Sequence, residues 1–323
     1  MNVRKLGRLP LVAAALLLAA MPGALAAQET FERTFTVTGP VELAAQTHSG
    51  NITVQPGQDG SVFVRGTIRV RERYAAEAGS IIQELKANLP LEQTGNSIQI
   101  RNIGEELRQR VSISYEITTP ADTSADLQTG SGNVGVEGVS GPVEAHSGSG
   151  NVAVSRVANA ASANTGSGNI ALNSISGAGR ARTGSGNIVA RGIGGDFSGS
   201  TGSGNVLVEQ TAAGNVEMNS GSGSLQARGV QGSLSANTGS GNISAEGALS
   251  SDWRLKTSSG SVRIDLPSEA AFTVEARSSS GSIEVNHPLT VQGRIGRREV
   301  KGTVRGGGSL LAVSTSSGSV HID

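Results

Sequence analysis

The sequence contains no cysteine, and among its 323 residues only one Trp, two Tyr and five Phe are aromatic. Without cysteine, neither a disulfide framework nor a lipid-modified N-terminus can form. The scarcity of Trp and Tyr disfavours a sugar groove or a protein-binding hot spot built on aromatic side chains. Disulfide reinforcement is therefore excluded, and a binding site built on aromatic anchors is disfavoured.

The sequence also has no excess of charge of either sign. Its 26 Lys and Arg residues balance 26 Asp and Glu residues, which gives no reason to expect a nucleic-acid partner. The four histidines are scattered, without a second ligand at metal spacing. GSGNVG at Gly130 matches the dinucleotide motif by accident, because a strand follows it where the motif needs a helix. We predict no cofactor and no metal.

Long apolar runs are absent except at the N-terminus. Arg4, Lys5 and Arg8 precede an apolar run from Leu9 to Ala20, and Ala24-Leu25-Ala26 fits the small-residue rule for signal cleavage. A run of about a dozen residues is shorter than the roughly 20 that a membrane span needs. We therefore predict a signal peptide over residues 1–27, export to the periplasm or the medium, and no transmembrane anchor after cleavage.

A glycine-rich hexapeptide, first TGSGNV at Thr129, returns through the rest of the chain. Its fifth position recurs at steps of 18, 18, 18, 18, 19, 18, 19, 21 and 37 residues and is occupied in turn by Asn133, Asn151, Asn169, Asn187, Asn205, Ser224, Asn242, Ser261, Ser282 and Ser319. A fixed period of this size is typical of one structural unit stacked on copies of itself. Calcium-binding rolls of similar period carry Asp in the turns, where this chain has Asn or Ser, so no bound calcium is expected.

Each unit contains two short strands with one apolar face. In the copy from Asn133 to Gly150, Val134 and Val136 alternate with Gly135 and Glu137, which indicates a half-buried strand. The position of Val134 is aliphatic in every copy. We predict an all-β fold: a parallel β-solenoid of about ten 18-residue coils. The preference of parallel crossovers favours right-handed coils, although that rule concerns strands of one sheet.

The turn residues predict ladders along the stack. Amides in register can hydrogen-bond from one coil to the next, and these amides are Asn133, Asn151, Asn169, Asn187, Asn205 and Asn242. The Thr or Ser that opens each hexapeptide can form a hydroxyl ladder in the same way. We assign these residues a structural role.

The ends of the solenoid require caps, since a terminal coil exposes unpaired backbone. Residues 28–128 contain alternating segments and one stretch with helical spacing, from Arg73 to Leu89, which Pro90 ends. We predict that residues 28–128 form a β-rich cap with one helix. Residues 129–323 then form the repeat solenoid, with a C-terminal capping insertion near residues 286–308.

Candidate sites are few. Polysaccharide-cleaving enzymes are often β-solenoids, but the carboxylates Asp196, Asp252 and Asp265 do not share a column at neighbouring copies and so do not pair as acid and base. One cluster of basic residues could contact an anionic surface, although we favour the simpler interpretation, a solvated hairpin of the C-terminal cap. This basic stretch consists of Arg294, Arg297, Arg298, Lys301 and Arg305.

The strand YEITTP at Tyr115, the run LQTGSGNVGVEGVSGPVEAHSGSGNV that follows it and the ending STSSGSVHID after GGG at Gly306 resemble the bacterial putative-adhesin family. This β-strand-repeat family is related to the head domains of putative autotransporter adhesins. The resemblance implies a β-solenoid at the cell envelope and no established catalytic residues.

These observations lead to a functional hypothesis. We predict a non-enzymatic, exported, adhesin-like protein with a structural or interaction role at the bacterial cell envelope. Its partner would be an envelope protein, a polysaccharide or an anionic lipid surface. The alternatives are a polysaccharide-active β-helix enzyme and an inert envelope scaffold.

Overall fold

The computed structural model describes residues 27–291 and 296–323, and most of these residues lie in two long sheets. One sheet has 14 strands and is called sheet A; the other has 15 strands and is called sheet B. Through the repeats, the chain alternates between the two sheets, and each strand pairs in parallel with the strands one coil away. The prediction of an all-β fold with parallel, coil-forming strands is confirmed.

The N-terminal part supplies seven strands and three helical segments. They are β1 (Gln28–Thr36), β2 (Val41–Ser49), β3 (Ile52–Pro56), β4 (Ser61–Val70), a 3-10 helix (Glu72–Glu77), α1 (Ala78–Ala87), β5 (Leu91–Thr94), β6 (Ser97–Ile100), α2 (Glu105–Arg108) and β7 (Val111–Thr119). Of the buried residues of α1, Ile81 and Leu85 lie one turn apart, as the apolar spacing predicted. The prediction of one helix was incomplete, because four-residue α2 is too short to show helical periodicity.

The repeats supply sixteen strands. They are β8 (Thr123–Ser131), β9 (Val134–Glu137), β10 (Val143–Ser147), β11 (Val152–Val157), β12 (Ala161–Thr165), β13 (Ile170–Ile175), β14 (Gly179–Thr183), β15 (Ile188–Ile193), β16 (Phe197–Thr201), β17 (Val206–Gln210), β18 (Val216–Ser220), β19 (Leu225–Val230), β20 (Leu234–Thr238), β21 (Ile243–Gly247), β22 (Trp253–Ser259) and β23 (Val262–Asp265). From β8 to β23, the even-numbered strands lie in sheet B and the odd-numbered strands in sheet A.

The C-terminal strands complete both sheets. They are β24 (Phe272–Ser278), β25 (Ile283–Val285), β26 (Leu289–Thr290), β27 (Glu299–Val304), β28 (Leu310–Ser317) and β29 (Val320–Ile322). β27 pairs antiparallel with both β24 and β26, at one edge of sheet B.

The first and last coils of the chain lie inside the stack. β2 lies between β6 and β8, and β3 lies between β7 and β9. At the other end, β28 lies between β22 and β24, and β29 lies between β23 and β25. The copies therefore do not stack in sequence order throughout, since the copy with Ser319 lies between those with Ser261 and Ser282.

The inserted last coil is held by polar contacts to both neighbours. The Asp323 carboxylate accepts hydrogen bonds from Arg263 and from Asn286, both at 2.7 Å. The hydrogen bond from Asn286, helped by the nearby charges of His321 and Arg263, lowers the pKa of Asp323 below its ordinary value. These contacts join the strand regions of β23, β29 and β25 on the sheet A side.

The core lies between the two sheets and is filled by the inward columns. Val134, Val152, Ile170, Ile188 and Val206 are all buried, which confirms the predicted inward phase. Trp253 is also fully buried, and its indole nitrogen donates to the carbonyl oxygen of Gly232 at 3.0 Å.

The turns between coils are held by the hydroxyls that open each hexapeptide. In a representative coil, the Thr183 hydroxyl donates to the Gly168 carbonyl of the previous coil at 2.8 Å and accepts from the Gly186 amide at 3.1 Å. The adjacent turn positions require glycine, because a side chain there would collide with the previous coil. A Cβ built on Gly186 would lie 1.8 Å from the Gly168 oxygen.

Two predictions lie partly outside the described residues. The signal peptide falls on residues 1–27, of which only Ala27 is described, and Arg294 also falls outside. Among the described residues, none of the helices is long and apolar enough to span a membrane.

Candidate interaction surface

A groove runs along the outward face of sheet B, across the coils. Its central part, about 650 Å³, extends over strands β10 to β20. A second cavity of about 440 Å³ adjoins it at Pro142, and a third of about 390 Å³ adjoins it at Ser235. Because the three share lining residues, we treat them as one feature and call it the sheet B groove.

The long side chains in the groove come from one outward column of sheet B. Parallel pairing in register aligns the second residue of each strand with its counterpart one coil away. From β10 to β22 this column, called the charged column, reads Glu144, Ser162, Arg180, Ser198, Glu217, Ser235 and Arg254. Acidic and basic residues therefore alternate, with one serine between each pair.

A second outward column lies two residues further along each strand. From β10 to β22 it contains His146, Asn164, Arg182, Ser200, Asn219, Asn237 and Lys256. Its amides and hydroxyls can both donate and accept hydrogen bonds. We call it the amide column. Together the two columns give the groove a polar floor with isolated charges.

Arginines on sheet A form ion pairs within the chain. There, Arg191 and Arg228 lie 3.6 Å and 3.4 Å from the Glu209 carboxylate, and Arg156 pairs with Glu137. In each pair the residues belong to adjacent strands, where side chains can meet.

The members of the charged column are spaced too widely to pair with one another. Opposite charges in the charged column are two strands apart, about 9.6 Å at about 4.8 Å per strand. Among the described residues, Glu144, Arg180 and Arg182 form no ion pair, and all three are exposed. Arg254 pairs with Asp252 at 3.0 Å, and Glu217 accepts a hydrogen bond from Asn219 at 3.1 Å. Most charged side chains of the groove are therefore available to pair with a partner.

The described part of the predicted basic stretch lies at the C-terminal edge of sheet B. Lys301, on β27, lies 3.3 Å from the Glu275 carboxylate. Arg305 has a positive φ of 48° and donates to the Ala270 carbonyl at 3.5 Å. Arg297 and Arg298 are exposed, and their carbonyls accept hydrogen bonds from Ile283 and Ser278. One positive charge of the stretch is thus already paired on the sheet B face.

The predicted asparagine ladder has a different geometry from the expected amide-to-amide chain. Each side-chain oxygen accepts from the backbone amide of the next coil, as Asn133 does from Asn151 at 2.9 Å. The ladder begins one coil earlier than predicted, because Asn51 accepts from Asn133 in the same way. The same bond is made by Asn151, Asn169, Asn187, Asn205 and Asn242. These amides therefore act on the backbone of the stack.

The candidate carboxylates of an enzyme do not converge. Asp196 and Asp252 occupy the same position before β16 and β22, three strands apart, which is about 14 Å. Glycosidases place their two carboxyls roughly 5–9.5 Å apart. Asp196 instead accepts a hydrogen bond from the backbone amide of Asn215 at 2.7 Å, and Asp252 accepts one from the backbone amide of Leu310 at 3.0 Å. Both act as caps of the backbone between coils.

Sequence reasoning did not single out the charged column, although a signal for it exists. Glu144, Arg180, Glu217 and Arg254 follow one another at steps of 36, 37 and 37 residues, twice the repeat. Reading the outward residues of the second strand in each repeat would have shown this alternation.

Comparison with known proteins gives a family, and the matching solved structures include two adhesion-related proteins. The family model of Toastrack DUF4097 matches residues 28–194 and again residues 181–323. No curated protein matches the chain. A putative cell adhesion protein from Clostridium sporogenes ATCC 15579 is 10% identical, with 91% of this chain and 99% of that chain covered and a TM-score of 0.18. A putative adhesin from Bacteroides fragilis NCTC 9343 is 12% identical, with 91% and 97% covered and a TM-score of 0.25.

Proposed function

The chain belongs to the Toastrack DUF4097 family, and on that premise we propose that it is a non-enzymatic, adhesin-like interaction protein of the bacterial cell envelope. The binding surface in this proposal is the sheet B groove. The observation that carries it is the set of exposed, unpaired charges along the groove, beside a sheet A whose arginines are largely paired. Unpaired charges on a rigid sheet favour complementary recognition of a partner.

The proposal includes a location and a finer architecture. The N-terminal pattern of Arg4, Lys5 and Arg8 followed by an apolar run supports export, to the periplasm or the medium. Cleavage after Ala26 or Ala27 would leave the described solenoid as the exported protein. We also propose right-handed coils, about ten of them in the repeat region, as the parallel crossovers and the repeat count favour. N-terminal sequencing of the exported protein tests the cleavage site.

The alternatives differ in what they need from the same surface. A polysaccharide-active enzyme needs two carboxylates that face one bond, and a separation of about 14 Å between Asp196 and Asp252 does not support this. An inert scaffold needs no unpaired charge on sheet B. An anionic lipid or polysaccharide could still contact the basic stretch, and variants of that stretch separate this contact from the groove.

Binding to envelope particles tests the proposal. The purified chain is sedimented with particles prepared from cells that lack it, and three forms are compared: the unchanged chain, Arg180→Ser with Arg182→Ser, and Arg228→Ser. Arg228 is an exposed arginine of sheet A and is the matched control. We expect binding by the unchanged chain and by the control, and loss in the groove variant. Equal binding by all three, absence of binding, or release of sugars from the particles would contradict the proposal.

A further inference from the structure

The charged column of sheet B is antisymmetric about Ser198. One strand to either side lie Arg180 and Glu217, and three strands to either side lie Glu144 and Arg254. The intervening serines, Ser162 and Ser235, are also equidistant from Ser198. Reversing the column therefore exchanges every acidic residue with a basic one.

We propose that the groove also binds a second copy of this chain, packed face to face on sheet B with the two solenoid axes antiparallel. The inference goes beyond the proposed function, since it adds self-association as a second use of the same surface. The two-fold axis lies in the interface, along the direction of β16, and passes over Ser198. Each copy then places Arg180 opposite Glu217 and Glu144 opposite Arg254 of the other, which gives four opposite-charge pairs in one isologous interface.

Of the two in-plane directions, along the strands and along the solenoid, only an axis along the strands places each outward column of one copy opposite the same column of the other copy. It reverses the order of the coils but keeps the position of each residue along its strand. A two-fold axis along the solenoid would leave the coils in order and lay the charged column over the amide column. Arg180 of one copy would then approach Arg182 of the other, which is a like-charge contact.

The amide column supports the register at Ser198 over its nearest competitor. With the axis at Ser198, Arg182 faces Asn219, Asn164 faces Asn237, and Lys256 faces His146. An axis at Ser235 also pairs opposite charges in the charged column, because Arg180 then faces Glu275. That register, however, places Arg182 opposite Arg277 twice. Like charges that face each other disfavour it.

One contact opposes the proposed dimer. Asp196 immediately precedes β16 and is exposed on the outward side, so the axis brings the two Asp196 side chains together. Its carboxylate is partly satisfied by the Asn215 amide at 2.7 Å. The repulsion makes a prediction specific to this axis: Asp196→Asn should tighten self-association, while Glu144→Gln or Glu217→Gln should weaken it.

The size of the face indicates how strong this association can be. Seven strands at about 4.8 Å and five residues at about 3.3 Å give roughly 34 by 17 Å, or about 1,100 Å² from both copies. Stable interfaces bury about 1,200–2,000 Å². We therefore expect a weak dimer, populated at chain concentrations on the order of 100 µM and favoured where many copies are displayed together.

Sedimentation equilibrium of charge variants tests the pairing. Arg180→Glu alone and Glu217→Arg alone each create two like-charge contacts, so each should weaken dimerisation at least tenfold. The double variant with both changes restores opposite charges and should recover dimerisation to within about threefold. Arg228→Glu on sheet A is the matched control and should dimerise like the unchanged chain. Failure of the double variant to recover would overturn the pairing.

Cross-linking tests the register, which the absence of cysteine makes straightforward. Facing sheets lie about 10 Å apart, too far for a disulfide, so the reagent is a bis-maleimide with a spacer of about 10 Å. Ser198→Cys should link two copies efficiently. Ser235→Cys should not, because its two copies lie about 19 Å apart along the groove. The reverse result would overturn the Ser198 axis.

Failure of this inference can be told from failure of the proposed function. The particle-binding assay of the proposed function uses particles from cells that lack the chain, so self-association cannot explain binding in that assay. A chain that stays monomeric at several hundred µM, yet loses particle binding on Arg180→Ser with Arg182→Ser, would overturn only the second-copy inference. Dimerisation that responds to the charge swap supports it.

Discussion

Replacing Gly186 by alanine should damage the stack, because the coils approach each other most closely at the turn glycines. A Cβ on Gly186 would lie 1.8 Å from the carbonyl oxygen of Gly168 in the previous coil. Real Cβ contacts start at about 3.0 Å, so the coils must separate by roughly 1.2 Å at this turn. The backbone atoms that block the methyl group cannot rotate away, as the end of a side chain could.

The expected loss follows from what that separation breaks. Two hydrogen bonds cross the widened gap. The Thr183 hydroxyl donates to the Gly168 carbonyl oxygen at 2.8 Å, and the Asn187 backbone amide donates to the Asn169 side-chain oxygen at 2.9 Å. Overpacking costs about 1–3 kcal/mol, and each of the two hydrogen bonds about 1 kcal/mol. We expect Gly186→Ala to lower the free energy of unfolding by about 3–5 kcal/mol.

Gly135→Ala is the matched control. This glycine lies in an outward column of sheet A, where the neighbouring copies carry Ala153 and Ala171. A Cβ there would meet only the Thr53 side chain, at 3.8 Å, an ordinary contact. We expect a change within about 0.5 kcal/mol, or a slight gain from the lower entropy of the unfolded chain.

Urea unfolding followed by far-UV circular dichroism measures both variants. Because stacked repeats can unfold in segments, hydrogen exchange should locate the weakened coils around residue 186. Similar midpoints for Gly186→Ala and the unchanged chain would refute the close-packing argument. Equal damage from Gly135→Ala would show that glycine matters here for backbone conformation and not for coil spacing.

Three further predictions use the core, the ionisable groups and the basic stretch. Ile188→Asp, at a fully buried site, should cost several kcal/mol and unfold neighbouring coils in a thermal melt, while Ser244→Asp on the outward face should be nearly silent. Burial raises the pKa of Tyr115 above its ordinary value. The stability contributed by the buried, neutral phenol is therefore complete below about pH 10 and is lost as pH rises through the raised pKa. Tyr115→Phe should remove this alkaline loss, which a pH series of urea midpoints measures. Binding to anionic liposomes, if measured in flotation assays, should weaken steeply with salt and be abolished, with the melt unchanged, by serine at Arg297, Arg298 and Lys301.

The N-terminal helix and the terminal coils show where sequence reasoning was limited. Helical spacing located Ile81 and Leu85 correctly, since the buried face of α1 is a local pattern. The four-residue α2 has no such pattern. The insertion of β28 between β22 and β24 could not be inferred either, because the Ser319 copy has the same hexapeptide whichever neighbours it stacks on.

The candidate surface was also only partly predictable. The outward position of Glu144 or Arg180 follows from strand alternation, but attention to basic residues close in sequence favoured the stretch from Arg294 to Arg305. In the structure, Lys301 of that stretch lies beside Glu275. The charges of the groove are about 36 residues apart in the chain and are brought together only by the stacking of coils.

The sequence by itself determined the repeating architecture, because each copy carries its own strand alternation, turn glycines and aliphatic inward residues. Those features act within one coil or between adjacent coils, so every repeat contains them. Only the tertiary structure decided the order of the terminal coils and the pattern of charge along sheet B. Both depend on which distant segments become neighbours, and hydrogen bonding between parallel strands fixes that choice for the whole stack at once.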